Sequence, residues 1–243
     1  IAVCYLFASI LFLNLDWRGL VGAVIALLVG YWALLTFVPV PGLGAASYQP
    51  ETNLANWIDL HYLPGRLWDE TRDPEGLLST LPAIGTCVLG VLAGLLLKDE
   101  RIPPAQRTSW LIAGGLAMIG AGYLWGLQFP IIKAIWTSSF VLIVGGYSMI
   151  LLAVSHQMID VWEWKSWATP FVWIGANAIL LYFLNGIVGF APLAFRLVGG
   201  DVALWISSVT TPGTGAFLGH VLGLAFAIVL AGFLYHRRIF LRV

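Results

Sequence analysis

Seven apolar runs divide the sequence, and most of them have the length of a membrane-spanning helix. The hydrocarbon core of a bilayer is about 30 Å thick, so a helix that crosses it needs about 20 mostly apolar residues. The runs do not alternate apolar and polar residues, as the strands of a membrane barrel do. They cover 1–14, 19–38, 77–97, 108–127, 137–155, 169–189 and 215–235. The sequence therefore predicts an all-α, polytopic transmembrane helix bundle with about seven spans in this chain.

The composition supports this prediction and excludes other classes of protein. Charged residues make up 10% of the chain, against about 25% in soluble domains. Twelve Lys and Arg balance twelve Asp and Glu, so the chain lacks the basic excess that a nucleic-acid-binding protein needs to neutralise phosphates. Two cysteines, Cys4 and Cys87, are too few for a disulfide framework.

The first run, 1–14, is too short to span a bilayer. It starts on Ile1 without a preceding positive charge, so it is not a signal peptide. We expect that the chain begins inside a helix and that residues upstream of Ile1 are missing.

The distribution of Lys and Arg predicts the orientation, because cytoplasmic loops are enriched in both residues. The connections after the first, third, fifth and seventh runs hold eight of them, and the other connections hold four. The eight are Arg18, Lys98, Arg101, Arg107, Lys165, Arg237, Arg238 and Arg242, and the four are Arg66, Arg72, Lys133 and Arg196. The C-terminus is therefore predicted to be cytoplasmic, and the long connection 39–76 to lie outside the cytoplasm.

The connection 39–76 holds half of all the acidic residues, and loops of this length in compact proteins are often functional. It ends in Asp73, Pro74, Glu75 and Gly76, just before the third run. Asp73 suits the N-cap of a helix and Pro74 its first turn. The alternative interpretation is a carboxylate pair that faces a polar pocket at the membrane surface.

A second polar segment precedes the fifth run on the same predicted side. Trp136 suits an interfacial aromatic belt, and Thr137 or Ser138 suits a helix cap. Lys133 either pairs with Asp73 or Glu75 or holds an anionic substrate group.

Further polar residues lie inside the apolar runs. We expect Asn177 and Asn185 to face the bundle interior, because an amide in hydrocarbon needs a partner. They either link helices or line a substrate path. His220, near the end of the seventh run, is a functional candidate that also fits simple packing.

Glycines spaced by four predict close helix contacts. They are Gly90 and Gly94, Gly122 and Gly126, and Gly215, Gly219 and Gly223. The cytoplasmic basic residues either bind a phosphorylated cofactor or reflect topology alone. No metal-ligand cluster is evident in the sequence, so a metal is not expected.

Four blocks, in this order and spacing, resemble the transmembrane acyltransferase family of heparan-α-glucosaminide N-acetyltransferases and their bacterial relatives. The blocks are 73–76 with 90–94, Lys133 with 135–141, 170–171 with 177–179, and 235–240. The stretches 42–44 and 54–59 fit as well, so the resemblance covers nearly the whole chain.

The resemblance implies an enzyme of ten or eleven helices, with 1–243 as the C-terminal part of a single domain. Such an enzyme takes acetyl from cytoplasmic acetyl-CoA and delivers it to the amine of a glucosamine-type sugar on the lysosomal or periplasmic side. The family's catalytic histidine lies upstream of Ile1, so no residue of this chain is assigned that role.

The site residues that the resemblance implies fall into two sets. The sugar-binding set is Asp73, Glu75, Lys133, Trp136, Ser139 and Asn177, and the acetyl-CoA-binding set is Lys98, Arg107 and Arg238. The expected partners are the lipid bilayer, acetyl-CoA and an amino sugar, without nucleic acid, and a homodimer fits the family. The long loop has no Asn-x-Ser/Thr sequence, which favours a bacterial inner membrane over a lysosomal one. A sugar or small-solute transporter, a glycan O-acyltransferase and a non-enzymatic membrane scaffold are the alternatives.

Overall fold

A computed structural model of the chain describes residues 1–49, 51–65, 67, 73, 75–198 and 200–241, and this part of the chain is built from helices. The helices are α1 Ala2–Asn14, α2 Trp17–Phe37, α3 Leu54–Tyr62, α4 Thr80–Lys98, α5 Pro104–Gly126, α6 Ser138–His156, α7 Thr169–Ala176, α8 Ala178–Ile187, α9 Phe190–Val198, α10 Gly200–Val209 and α11 Thr214–His236. A π-helical turn, Gln157–Val161, extends α6, and a 3-10 turn, Ser166–Ala168, precedes α7. Arg66, Arg72, Pro74 and Arg242, which entered the predictions above, lie outside the described residues.

Five of these helices are long and apolar enough to cross a membrane, namely α2, α4, α5, α6 with its π-helical turn, and α11. Two bent helix pairs raise the number to as many as seven. The prediction of an all-α polytopic bundle is confirmed, and the apolar helices are those of an integral membrane protein. Helix α1 has 13 residues and is too short to span, as its sequence indicated.

The prediction that residues 169–189 form a single spanning helix is wrong. It consists of two pieces, Ser166–Ala176 and Ala178–Ile187, which meet at an angle of 67°. The break falls on Asn177, whose φ of −130° and ψ of 30° lie outside the helical region. Its Oδ1 accepts the N–H of Leu241, far along the chain, at 3.4 Å.

Two further helical regions occur where the sequence predicted only connections. Helix α3 lies within the long loop, with Asn53 as its N-cap. Helices α9 and α10 follow the broken span and bend by 87° relative to each other. The sequence after the sixth run therefore forms two short helices rather than a connection. Neither helix is long enough to appear as a spanning run in the sequence.

The chain divides into two compact units, Ile1–Trp162 and Glu163–Val243. The prediction of one domain stays a prediction. In the first unit, α1, α2, α4 and α6 share an apolar core built around Leu20, Leu28, Val88 and Val141.

Glycines allow the closest helix contacts of both units, but not at every predicted pair. In the first unit a Cβ on Gly115 of α5 would lie 2.7 Å from the carbonyl oxygen of Gly146 on α6. In the second unit Gly215, Gly219 and Gly223 of α11 meet residues of α9 and α10. Gly90 and Gly94 face open space, so the contact predicted for that pair is wrong within the described residues.

Candidate functional site

Helix α3 brings two polar side chains of the long loop onto one buried face. The Asn53 side chain caps the helix by accepting the N–H of Asn56 at 2.8 Å. Asn56 and Asp59 are three residues apart and therefore neighbours on the helix surface. They are only 4% and 2% exposed, because Leu54 and Ala55 of the same helix pack into an apolar cluster with α2.

The carboxylate of Asp59 fastens α3 to the segment that precedes α4. Its Oδ1 accepts the backbone N–H of Leu77 at 2.7 Å. A Cβ on Gly76 would overlap the same carboxylate. Only glycine therefore lets the backbone at position 76 approach Asp59 so closely.

Burial raises the pKa of the Asp59 carboxyl above its usual range, because water no longer solvates the charged form. The hydrogen bond from Leu77 opposes this effect, and the negative charge of nearby Asp73 adds to it. Asp59 is therefore a buried acid that binds a proton more readily than an exposed aspartate does.

A small cavity of about 10 Å³ lies beside Asp59. Its walls include Asn56, Asp59, Asp73 and Ser79, together with Ala55, Ala134 and Ile135. The Oδ1 atom of Asn56 is buried and has no hydrogen-bond partner. Space of this size holds about one small polar group. Within the described residues, no three or more His, Cys, Asp or Glu side chains form a group that could hold a metal ion.

A larger cavity of about 420 Å³ shares Ser79 with the small one. Polar and aromatic groups in its wall include Glu75, Thr80, Thr86 and Trp136, and α1 contributes Cys4 and Tyr5. Its volume lies within the range of small-molecule pockets, about 300–1,000 Å³. A cavity large enough for a small-molecule ligand therefore lies beside a cavity that holds a single small group.

Trp136 lies in the wall of the larger cavity with an unusual backbone conformation. Its φ is 53°, in the left-handed region that bulky residues rarely adopt. Its indole N–H donates to Thr86 Oγ1 at 3.2 Å. The hydroxyls of Ser138 and Ser139 anchor the neighbouring backbone by donating to the carbonyls of Leu28 and Phe129, each at 2.7 Å. Strain of this kind is found mainly at functional sites, which supports a role for the Trp136 ring.

The expectation that Asp73 caps the third span is wrong. Helix α4 begins at Thr80 with Ser79 as its N-cap, several residues later. Asp73 instead accepts the N–H of Glu75 at 2.8 Å, a short turn of the kind that Asp favours. Asp73 lines the small cavity and Glu75 lines the larger one.

Two other members of the predicted sugar-binding set lie away from both cavity walls. Ser139 is completely buried, and its hydroxyl donates to the Phe129 carbonyl. Lys133 is exposed, and among the described residues no ion pair joins it to Asp73 or Glu75. Of the six predicted residues, the cavities bring together Asp73, Glu75 and Trp136.

Asn177 belongs to the second unit, where it is 1% exposed. Its Nδ2 is buried without a hydrogen-bond partner. The expectation that Asn185 faces the interior is wrong, because this residue is exposed and its Oδ1 accepts the N–H of Phe190. His220 is also exposed, and its ring bonds to the Ala216 carbonyl within the same helix.

The predicted acetyl-CoA-binding residues differ from one another in their surroundings. Lys98 at the end of α4 is exposed. Arg107 on α5 is half-buried, and its guanidinium donates to the carbonyls of Ile102 and Leu97 at 2.8 and 3.0 Å. Arg238 belongs to the second unit, where it is exposed and has a φ of 57°.

The sequence contained a signal for the buried face of α3 that the predictions did not use. Asn56 and Asp59 follow a favourable N-cap, Asn53, at helical spacing. Asp59 entered the predictions only as one of the loop acids and as the last residue of the stretch 54–59 that fits the family, without a role of its own. Its contact with Gly76 joins positions far apart in sequence, so no local pattern reveals it.

Comparison with known proteins gives two mammalian relatives, and no protein-family model matches. The chain is 29% identical over 195 residues, 65% of its length, to heparan-alpha-glucosaminide N-acetyltransferase of Homo sapiens. It is 28% identical over 206 residues, 68% of its length, to the Mus musculus protein of that name. The chain is a distant relative of these proteins. This similarity confirms the resemblance that the sequence blocks predicted, although the matched region spans only 28% and 30% of the relatives' own length.

Proposed function

We propose that the protein is a membrane-bound N-acetyltransferase. Acetyl passes from acetyl-CoA on the cytoplasmic side to the amine of a glucosamine-type sugar on the extracytoplasmic side. The observation that carries this proposal is the cavity of about 420 Å³ that contains Glu75 and Trp136 in its wall. Both residues lie in blocks that resemble the acyltransferase family, and the names of the two mammalian relatives support the same reaction.

The chemistry of the larger cavity suits a sugar. The Trp136 ring offers an apolar face, and aromatic rings combine a large contact area with a polar edge. Glu75, Thr80 and Thr86 add a carboxylate and two hydroxyls to the same wall. Amine acetylation also needs a base and donors for the carbonyl oxygen. The chain's own contribution in this proposal is to hold the sugar beside the thioester, which supplies much of the rate.

On the acetyl-CoA side, the proposal is that Lys98, Arg107 or Arg238 binds the phosphate groups. Cationic side chains bind phosphate groups through charge-assisted hydrogen bonds. Lys98 lies at the end of α4 that is opposite to Ser79 and the sugar cavity. The proposal includes a bacterial inner membrane, a cytoplasmic C-terminus and assembly as a homodimer. Ser139, Lys133 and Asn177 stay in the predicted sugar-binding set without support from the cavity walls.

The test uses the purified full-length protein with acetyl-labelled acetyl-CoA and glucosamine. We expect label on the sugar amine, and a much slower transfer in Glu75→Gln than in Glu100→Gln, the matched change of an acid on the α4–α5 connection. Absence of label on the sugar in the wild-type protein would contradict the proposal. Transfer to a sugar hydroxyl would indicate an O-acyltransferase instead.

A transporter is the second candidate, because the helix pair α7–α8 is broken at Asn177 by 67°. Discontinuous helices with exposed backbone groups form the substrate sites of many transporters. Proteoliposomes separate the two functions. A transporter moves labelled glucosamine across the bilayer unchanged and without acetyl-CoA, whereas the acetyltransferase yields N-acetylglucosamine and needs acetyl-CoA.

A further inference from the structure

The larger cavity follows one face of α4 from the start of the helix inwards. Ser79, Ala83 and Cys87 line it and are spaced by four residues, so they lie one above the other on the same face of the helix. At 1.5 Å per residue this stretch is about 12 Å long. Helix α4 is one of the helices that are long and apolar enough to cross a membrane. The cavity therefore extends from one end of a membrane span towards the middle of that span.

The start of the cavity contains its charged side chain. Glu75 lies there, ahead of α4, and is exposed. The hydroxyls of Ser79 and Thr80 both donate to the Gly76 carbonyl, at 3.1 and 2.9 Å, so their oxygens can still accept hydrogen bonds. A ligand at this end therefore meets a carboxylate and two further acceptors, which suit the amine and the hydroxyls of an amino sugar.

About two helical turns deeper, the polar groups of the wall are already paired with each other. The Thr86 hydroxyl donates to the Pro82 carbonyl at 3.1 Å and accepts the indole N–H of Trp136 at 3.2 Å. The neighbouring side chains of this deeper part are Ala83 and Cys87 of α4 and Cys4 of α1. Both cysteines also pack against the same apolar core. The deeper part of the cavity therefore presents mainly apolar surface.

A sugar ring alone does not match both parts of the cavity. Hydroxyl groups that are buried without hydrogen-bond partners cost free energy, so the deeper part disfavours them. Apolar groups gain free energy there, because each CH₂ group that leaves water contributes favourably. The cavity as a whole measures about 420 Å³, which suits a ligand of drug size. The ligand that matches both parts is an amphiphile with an amino-sugar head and an apolar chain.

We propose that the acceptor is an amino sugar carried on a lipid, with the sugar beside Glu75 and the first carbons of the lipid chain along α4 towards Cys87. This inference rests on the proposed function, because it takes the larger cavity as the acceptor site. A lipid is the carrier because the deeper part of the cavity lies along a membrane span, at the depth of the hydrocarbon chains of the bilayer. The inference narrows the acceptor from any glucosamine-type sugar to a lipid-linked one.

The test measures the binding of two soluble probes that share the sugar and differ in the chain. They are glucosamine glycosides with a methyl or a hexyl group on the anomeric oxygen. Each probe is titrated against the full-length protein in lipid nanodiscs, and the ratio of the two dissociation constants is determined. Each CH₂ group that leaves water is equivalent to about fourfold in affinity, so we expect wild-type protein to bind the hexyl compound about 100-fold more tightly. Equal affinities would overturn the inference.

A pair of variants separates the cavity from simple partition of the hexyl chain into the nanodisc lipid, which is the same for every variant. Ala83→Phe fills the deeper part of the cavity, whereas Ala113→Phe adds the same ring at an exposed position of α5. We expect the ratio to fall by about tenfold or more in Ala83→Phe, the equivalent of about two buried CH₂ groups, with little change for the methyl compound. Ala113→Phe should keep the wild-type ratio. A wild-type ratio in Ala83→Phe would overturn the inference.

The thiol of Cys87 gives a second measurement that needs no substitution in the cavity. Cys87 lines the deeper part and is partly buried. Its modification by a maleimide is followed by mass spectrometry in the presence of each probe at the same fractional saturation. We expect the hexyl compound to slow the modification by about fivefold or more, as a bound chain covers the thiol at high saturation, and the methyl compound to leave it unchanged. Equal rates with the two probes would contradict a chain that lies beside Cys87.

The failure of this inference and the failure of the proposed function are distinguishable. Binding that depends on the hexyl chain and on Ala83, without any acetyl transfer, leaves the lipid-linked ligand and removes the enzyme. Acetyl transfer to the amine, with equal binding of the two probes and no protection of Cys87, leaves the enzyme and removes the lipid-linked acceptor.

Discussion

The two ends of α4 hold their charged groups in opposite ways. At the Asp59 end, next to Ser79, two carboxylates line a small cavity, and Asp59 is almost completely buried. At the Arg107 end, next to Lys98, the guanidinium of Arg107 bonds to the backbone carbonyls of Leu97, in the last turn of α4, and Ile102, on the α4–α5 connection, and Lys98 is exposed. The 19 residues of α4 separate the two ends by about 28 Å at 1.5 Å per residue.

Membrane topology explains the charged residues at only one of the two ends of α4. Exposed Lys and Arg at a helix end are what the positive-inside rule predicts for any membrane protein, and Arg107 also holds the backbone together. A carboxylate buried beside a second carboxylate gains nothing from topology, and its burial raises its pKa. Topology therefore explains the charges at the Arg107 end, whereas the burial of Asp59 needs a separate reason.

The largest effect is expected for Gly76→Ala, which introduces a Cβ where the Asp59 carboxylate lies. The carboxylate must move, and displacement by about 1 Å at a site can lower a rate by about 100-fold. We expect acetyl transfer to fall by on the order of this factor. The matched control is Gly94→Ala, since Gly94 of α4 faces open space. Initial rates close to wild type in both variants would show that the contact between Gly76 and Asp59 is irrelevant to the site.

At the Arg107 end, we expect Arg107 to contribute more than Lys98 to the free energy of unfolding. Arg107→Ala removes two charged hydrogen bonds to backbone carbonyls and should lower the free energy of unfolding by about 1.5–3 kcal/mol. Lys98→Ala should change it by less than about 0.5 kcal/mol but weaken acetyl-CoA binding. Thermal unfolding in detergent and acetyl-CoA titration measure the two effects. Unchanged acetyl-CoA affinity in Lys98→Ala would leave this end with a structural role only.

A smaller effect is expected for Trp136→Phe, which keeps an aromatic ring in the wall of the larger cavity and removes the N–H that donates to Thr86. Without this hydrogen bond the ring is no longer held against Thr86, and we expect the KM for the sugar to rise by about fivefold, the equivalent of about 1 kcal/mol of binding free energy. Trp110→Phe on the exposed face of α5 is the matched control. A KM that responds equally to both substitutions would count against a specific role for Trp136.

The smallest effect is a pH dependence that Asp59 imposes on stability. The folded protein binds the Asp59 proton more tightly than the unfolded chain, because the pKa of this carboxyl is raised. Its contribution therefore becomes less favourable as pH rises from the ordinary aspartate pKa of about 3.9 through the raised value, and is constant above it. The melting temperature of wild type relative to Asp59→Asn should fall across this window. A difference that is independent of pH, or that rises with pH, would contradict the raised pKa.

Hydropathy alone predicted most of the bundle, and the reason is physical. A helix surrounded by lipid must satisfy its backbone internally and carry few charges, so the runs at 19–38, 77–97, 108–127, 137–155 and 215–235 match spanning helices closely. The bend at Asn177 was hidden, because an amide inside an apolar run either links straight helices or breaks one. The hydrogen bond that Asn177 accepts from Leu241, 64 residues away, gives no local signal in the sequence.

The candidate site was predicted in part for a related reason. Charged and interfacial aromatic residues are few at the ends of the apolar runs, so the sequence draws attention to Asp73, Glu75 and Trp136. Asp59 and Asn56 do not stand out, since they belong to a loop rich in polar residues. Their importance comes from burial against α2 and from the contact with Gly76, and both are properties of the folded chain.

The most direct test of the account puts the two substrates on opposite sides of a membrane. The full-length protein is reconstituted into proteoliposomes with the Arg107 end outward, and labelled acetyl-CoA is supplied outside while glucosamine is enclosed inside. We predict that label appears on the enclosed sugar, and that vesicles with the opposite orientation form no product under the same conditions. Product formation only when both substrates are on the same side would contradict the assignment of sugar to the Asp59 end and acetyl-CoA to the Arg107 end.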